Sequence, residues 1–241
     1  MPLRRGRGGI EGIDETTEPD TQPGGTTDAP QGRFGLLLLL LVATYLMNAF
    51  RNGRIIDGLQ IVLFAVAVVL ALRNSSASPR TLRLIVIGLI AGTAVMLFLS
   101  LSLAAGMQGT GVANIWTGLI LLFAVVVIVR RVLSFSTVSI QSIYGVLSAY
   151  LIIGLMFASF YAAIDHFGGG HFFANGQPDN TQTYQYFSFT TLTTLGYGDF
   201  TAADSGGRAV AVLEALTGQI FLATLVARLV AAYRGPAERR R

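Results

Sequence analysis

The chain has 241 residues, 52% of them apolar and only 12% charged, with a mean hydropathy of +0.60. A soluble domain carries about a quarter charged residues, so this chain cannot cover itself against water and reads as a polytopic membrane protein. Its net charge of +4 comes with no lysine; the arginines flank apolar runs instead of forming a stripe, which argues against a nucleic-acid partner, and the lack of cysteine excludes disulfides, thiolate metal sites and cysteine nucleophiles.

Residues 1–33 begin with a basic head (Arg4, Arg5, Arg7) and continue into an acidic stretch (Glu11, Asp14, Glu15, Glu18, Asp20) rich in Gly, Thr and Pro. Too few apolar groups are present to offset ordering entropy, so a disordered tail is expected. No apolar core follows the arginines closely enough for a signal peptide.

Six apolar segments follow, at about Phe34–Phe50, Ile55–Leu72, Leu82–Ala105, Val112–Val129, Ile140–Ile164 and Ala209–Tyr233. Each approaches or exceeds the ~17–25 residues that cross a bilayer as a helix. The first two are marginal, because Phe34–Phe50 is short and Asp57 and Gln60 sit near the start of the second. A shallow hairpin through Arg51-Asn52-Gly53-Arg54 is the alternative for that pair.

Arginine distribution sets the orientation. With the N-terminus inside, the inner loops hold Arg33; Arg73, Arg80 and Arg83; Arg130 and Arg131; and Arg228, Arg234 and Arg239 to Arg241. The outer loops hold Arg51, Arg54 and Arg208, and Trp116 falls at an outer interface. The expectation is a multi-pass protein of the cell membrane with both termini cytoplasmic. It divides into the tail (1–33), four peripheral helices (34–133), a last pair of helices with their connection (134–234) and a short basic end (235–241).

The connection between the last two segments is far too long for a hairpin. It contains Tyr184-Gln185-Tyr186-Phe187-Ser188-Phe189-Thr190-Thr191-Leu192-Thr193-Thr194, a run without Gly or Pro that suits a helix of about three turns, half a membrane span. Gly196-Tyr197-Gly198 follows, where alternate glycines open backbone conformations closed to other residues. Non-helical backbone at membrane depth survives only inside protein or beside a watery cavity. The predicted element is a re-entrant half-helix and loop.

Thr193-Thr194-Leu195-Gly196-Tyr197-Gly198-Asp199 resembles the selectivity-filter signature of the potassium channel superfamily, and the similarity extends from about Ile140 through Tyr233. The resemblance implies a potassium channel of all-α membrane class: six transmembrane helices, a pore half-helix and a filter loop. It implies that the carbonyls of Thr194, Leu195, Gly196 and Tyr197, with the Thr194 hydroxyl, replace the hydration shell of K+ at successive sites ending at Gly198. One strand cannot surround an ion, so four copies are expected to assemble as a homotetramer in the lipid bilayer. No cofactor is implied beyond the permeant K+. Asp199, Thr190 and Thr193 would support the filter from behind, and Tyr197 would brace it against neighbouring helices.

Two positions depart from the family pattern. Leu195 stands where Val is most familiar, and Thr190 where some relatives carry a buried carboxylate coupled to the Asp199 position. Gly207-Arg208 resembles the opening of bacterial inner helices. Gly218 matches a hinge position, or else is a packing glycine.

Glu214, the one acid in the last span, either faces the cavity or bonds to the half-helix from behind the filter. Thr217 and Thr224 share a helical face that can serve as a pore-lining stripe. Arg228 snorkels to the inner surface or contacts the gate. In the outer loop, Asp165 to His171 reads as solvated, with proton or metal sensing as the sharper alternative.

Six helices invite comparison with voltage-gated relatives, but Val112–Val129 holds no charge. The field does ~2.3 kcal/mol of work per charge per 100 mV, so an uncharged fourth helix cannot sense it by that route. The rival transport readings are a weakly selective cation channel and a subunit of a potassium uptake system. An enzyme is not expected, because the spans hold no paired acids, histidine pair or nucleophile motif.

Overall fold

The computed structural model describes residues 34–50, 87–88, 90–95, 108–133 and 139–233. The expected tail (1–33), the second apolar segment (Ile55–Leu72) and the basic end (235–241) lie outside the described residues. So do Arg51, Arg54 and most of the third segment, of which 87–88 and 90–95 are helical.

Five α-helices are described: α1 (Phe34–Phe50), α2 (Gln108–Leu133), α3 (Ile140–Gly168), α4 (Thr181–Leu192) and α5 (Ser205–Tyr233), with a 3-10 turn at Ala174–Gly176. Among the described residues, three stretches are long and apolar enough to cross a membrane: Gly111–Leu133, Ile140–Gly168 and Ser205–Arg228. The chain is therefore a multi-pass, all-α membrane protein. In lipid, a helix is the one open element that satisfies its own backbone.

Helix α3 sits at the centre and touches α1, α2, α4 and α5. Its start is fixed by a capping box: Ser142 N–H donates to Ser139 Oγ at 3.2 Å and Ser139 N–H to Ser142 Oγ at 2.7 Å, satisfying two donors that the first turn leaves open. It runs past the expected Ile164 because no breaker intervenes before Gly169, which closes it at φ +70°. Asp165 Oδ1 then accepts from Phe172 N–H at 2.8 Å and folds the following loop back.

On α2, Leu121, Ala124, Ile128 and Val132 form a buried stripe at helical spacing, and on α1 Phe34, Leu37, Leu41 and Thr44 do the same; both stripes face the packed interior, as amphipathic spacing dictates. Gly118 and Gly145 let neighbouring side chains approach: a Cβ at Gly118 would lie 2.5 Å from the Phe160 ring, and one at Gly145 would lie 2.9 Å from a Val132 methyl. Arg130 and Arg131 belong to the last turn of α2, where positive charge complements the helix dipole. Tyr45 of α1 meets the Phe189 ring of α4 edge-on at 5.0 Å.

Helix α4 starts earlier than expected, at Thr181, because Asn180 caps it. Asn180 Oδ1 accepts from Gln182 and Thr183 N–H, each at 3.0 Å, and Thr183 Oγ1 accepts from Asn180 N–H at 3.0 Å. It stops at Leu192, two residues short of the expected Thr194. Helix α5 likewise begins at Ser205, where Asp204 Oδ1 accepts from Gly207 N–H at 2.6 Å.

Candidate functional site

After Leu192 the backbone changes hand at every second residue. Thr194 has φ +58°, Gly196 +54° and Gly198 +79°, while Leu195 and Tyr197 between them stay on the ordinary negative side. In a uniform extended strand, successive carbonyls point to opposite sides; alternating the sign of φ turns every other peptide plane over and brings the carbonyls to one side. Glycine adopts positive φ freely. Threonine does not, and a β-branched residue there is strained by ~1–3 kcal/mol.

Neighbouring bonds hold that conformation. Thr194 N–H donates to Thr191 O at 2.9 Å, and the Thr190 carbonyl accepts from both Leu195 N–H (2.8 Å) and Gly196 N–H (3.2 Å). Thr190 thus reaches the loop through its backbone. Its hydroxyl turns to Phe187 O at 3.0 Å, and that of Thr193 to Phe189 O at 2.6 Å. Thr193 through Asp199 are exposed in the single chain, Tyr197 at 67% and Leu195 at 54%.

Asp199 ends the loop. Its Oδ2 accepts from the Tyr186 hydroxyl at 2.7 Å, its Oδ1 from Phe200 N–H at 3.1 Å, and its carbonyl from the Gln177 amide. The sequence did not single out Tyr186 or Gln177; Tyr186 lies one helical turn before Thr190 on α4, and that i, i+4 spacing is the signal that was available. Behind the loop, Phe173 stacks on Tyr184 at 5.5 Å and meets Phe200 edge-on at 5.2 Å. An isolated antiparallel bridge joins Phe173 to Ala202, with Ala174 N–H to Thr201 O at 2.9 Å and Ala203 N–H to Phe172 O at 2.8 Å.

Tyr186→Phe is expected to keep the ring against Phe200 (5.6 Å) but release the Asp199 carboxylate. The end of the loop then loses a tether, and the backbone amides of Asp199 and Phe200 are expected to exchange hydrogen several-fold faster than in wild type. Hydrogen-exchange mass spectrometry in detergent checks this.

Glu214 is completely buried. Its Oε2 lies 2.5 Å from the Tyr161 hydroxyl of α3, and its Oε1 is bonded to the Ser188 hydroxyl of α4. Ser188 Oγ also lies 2.6 Å from the Gly154 carbonyl. These are three contacts, and the two hydroxyls bring two hydrogens. A carboxylic acid hydrogen on Oε1 completes the set, and a glutamine amide supplies the same donor. The carboxyl therefore ties α5 to α3 and α4 behind the loop.

Gly218 is buried where α5 crosses the end of α4; a Cβ there would collide with the Leu192 carbonyl oxygen. The same oxygen accepts from the Tyr150 hydroxyl at 3.2 Å. One residue on, Gln219 Nε2 donates to Thr194 Oγ1 at 3.2 Å, so this side of α5 faces the loop. Thr217 and Thr224 instead line a cavity of about 410 Å³ with Val125, Ile128 and Ile153, and their hydroxyls return to Leu213 O and Ile220 O, each at 2.7 Å. In the single chain the threonines thus face α2 and α3, and Gln219 holds the loop side. Arg228 Nη2 donates to Leu133 O at 3.3 Å.

Around the end of α3 and the loop after it, His171 Nδ1 lies 2.7 Å from Asp179 Oδ2, and His166 Nδ1 lies 3.9 Å from Asp165. Among the described residues, no group of three or more His, Asp or Glu could hold a metal ion.

Residues 145–234 match the family model described as ion channel, which spans most of α3 and all of the half-helix, the loop and α5. No curated protein matches the chain, and no solved structure does. Residues 145–234 are thus similar to an ion-channel family, within a chain whose helices are those of a multi-pass membrane protein, and passage of ions is the activity this similarity supports.

Proposed function

We propose that the chain, with its ion-channel domain over residues 145–234, is a potassium-selective channel that works as a homotetramer. K+ would move down its electrochemical gradient along the carbonyls of Thr194, Leu195, Gly196 and Tyr197. The observation that carries this reading is the alternation of positive and negative φ from Thr194 to Gly198. A strand whose carbonyls share one side can present a column of oxygens, and four such strands replace the water around a dehydrated cation.

Two further observations support it. The strand is exposed in the single chain, and lone backbone groups at membrane depth cost several kcal/mol each unless protein or water meets them; three other copies around an axis would meet them. Helix α4 also points its C-terminal, partly negative end towards the loop, which favours a cation there. In this arrangement Asp199 and Thr193 support the filter, Glu214 braces it from behind, and Gly218 sets the approach of α5 or serves as a hinge. The two termini would face the cytoplasm.

The test is planar-bilayer recording of the purified protein under a K+/Na+ gradient, with Ba2+ added afterwards. The expected result is reversal near the potassium potential and block by Ba2+. Current with no preference for K+ would favour the weakly selective channel and overturn the selective filter.

A further inference from the structure

Thr194 Oγ1 donates its single hydrogen to the Thr193 carbonyl at 2.7 Å. The oxygen is then left to accept, and Gln219 must present the donor end of its amide to it, as it does at 3.2 Å. A hydroxyl oxygen has two lone pairs. One is engaged by Gln219, so the hydroxyl that the resemblance assigns to the innermost ion site keeps only one for a cation. The Gln219 amide also brings partly positive hydrogens to that oxygen.

We propose that Gln219 is a positioning and specificity-determining residue that weakens cation binding at the innermost filter site through Thr194. The inference rests on the channel reading above and goes beyond it: four Gln219 side chains would ring the inner mouth, each competing with the ion for one hydroxyl oxygen. A weaker innermost site shortens ion dwell there, and conduction requires sites from which the ion can leave. Ion binding at this position becomes a property of α5 as well as of the filter loop.

The closing experiment measures Ba2+ block from the inner side in wild type, Gln219→Leu and Gln219→Glu. Leu removes the donor at similar size; Glu replaces the donor by a negative oxygen in the same place. Gln219→Leu is expected to tighten block about threefold to tenfold, the worth of one neutral hydrogen bond. Gln219→Glu is expected to tighten it further, with the gain lost as the pH is lowered enough to neutralise the new acid and reduced by added salt.

Unchanged block in both variants overturns the inference, because Gln219 then does not act on the site. Weaker block in Gln219→Leu also overturns it, because the amide oxygen would then be a ligand to the ion. If either variant fails to assemble, the other still decides the question. Loss of potassium selectivity in wild type would sink the channel reading itself and is read before any variant.

Discussion

Gly196→Ala is expected to abolish the proposed potassium-selective current, by a hundredfold or more, in protein that still inserts and assembles. At φ +54° a Cβ at Gly196 has no heavy atom within 4 Å in the chain, so the penalty is conformational and not a clash. A left-handed L-residue costs roughly 1–2 kcal/mol, and relief comes by returning residue 196 to negative φ. That return breaks the alternation between Thr194 and Gly198 and rotates the intervening carbonyls away from their shared side. Leu195→Val leaves the backbone hand at 195 unchanged and is expected to retain selectivity. Bilayer reversal potentials, read beside size-exclusion profiles, check both; wild-type selectivity in Gly196→Ala would remove the basis for a carbonyl-lined path.

Glu214 carries the second large effect. Glu214→Leu leaves the Tyr161 hydroxyl without its acceptor and Ser188 with one partner fewer, in a place with no exposure at all. The one orphaned buried donor, on Tyr161, costs about 1–3 kcal/mol, so a loss of that size and a poorer yield of assembled protein are expected. Glu214→Gln keeps an acceptor for Tyr161 and a donor for Ser188, and should lie within about 1 kcal/mol of wild type with conduction intact. Thermal unfolding in detergent and single-channel recording separate the variants. Equal damage from Gln and Leu would show that a negative charge, and not a hydrogen-bonding group, is what the site needs.

The sequence exposed the helices through the length of their apolar runs, and the loop through glycines at alternate positions. Both are local signals, and lipid strengthens the first because a spanning segment has few ways to satisfy its backbone. Helix ends were less legible. The start of α4 depends on an Asn180–Thr183 cap, a polar pair without the usual acidic partner, and its end depends on Thr194, whose residue type gives no hint of positive φ.

Contacts between helices were the least legible. Glu214 stood out as a lone acid, but nothing local to it identifies Ser188 and Tyr161 as its partners. Polarity alone does not place Thr217 and Thr224, because a threonine hydroxyl satisfied by its own helix is free to sit in an apolar cavity. Gln219, one residue past Gly218, reaches the loop although nothing in its local pattern marks it.

The loop after α3 has a practical consequence. Gly168, Gly169 and Gly170 have no heavy atom within 4 Å of a built Cβ, and the chain contains no cysteine. Gly170→Cys, free of the positive φ at Gly169, therefore introduces one thiol per copy with no native residue to remove. A spin label attached there turns the loop into a ruler. Labels at the corners of a square report two separations in a fixed ratio, side to diagonal, which gives the number of copies around the axis from distance alone.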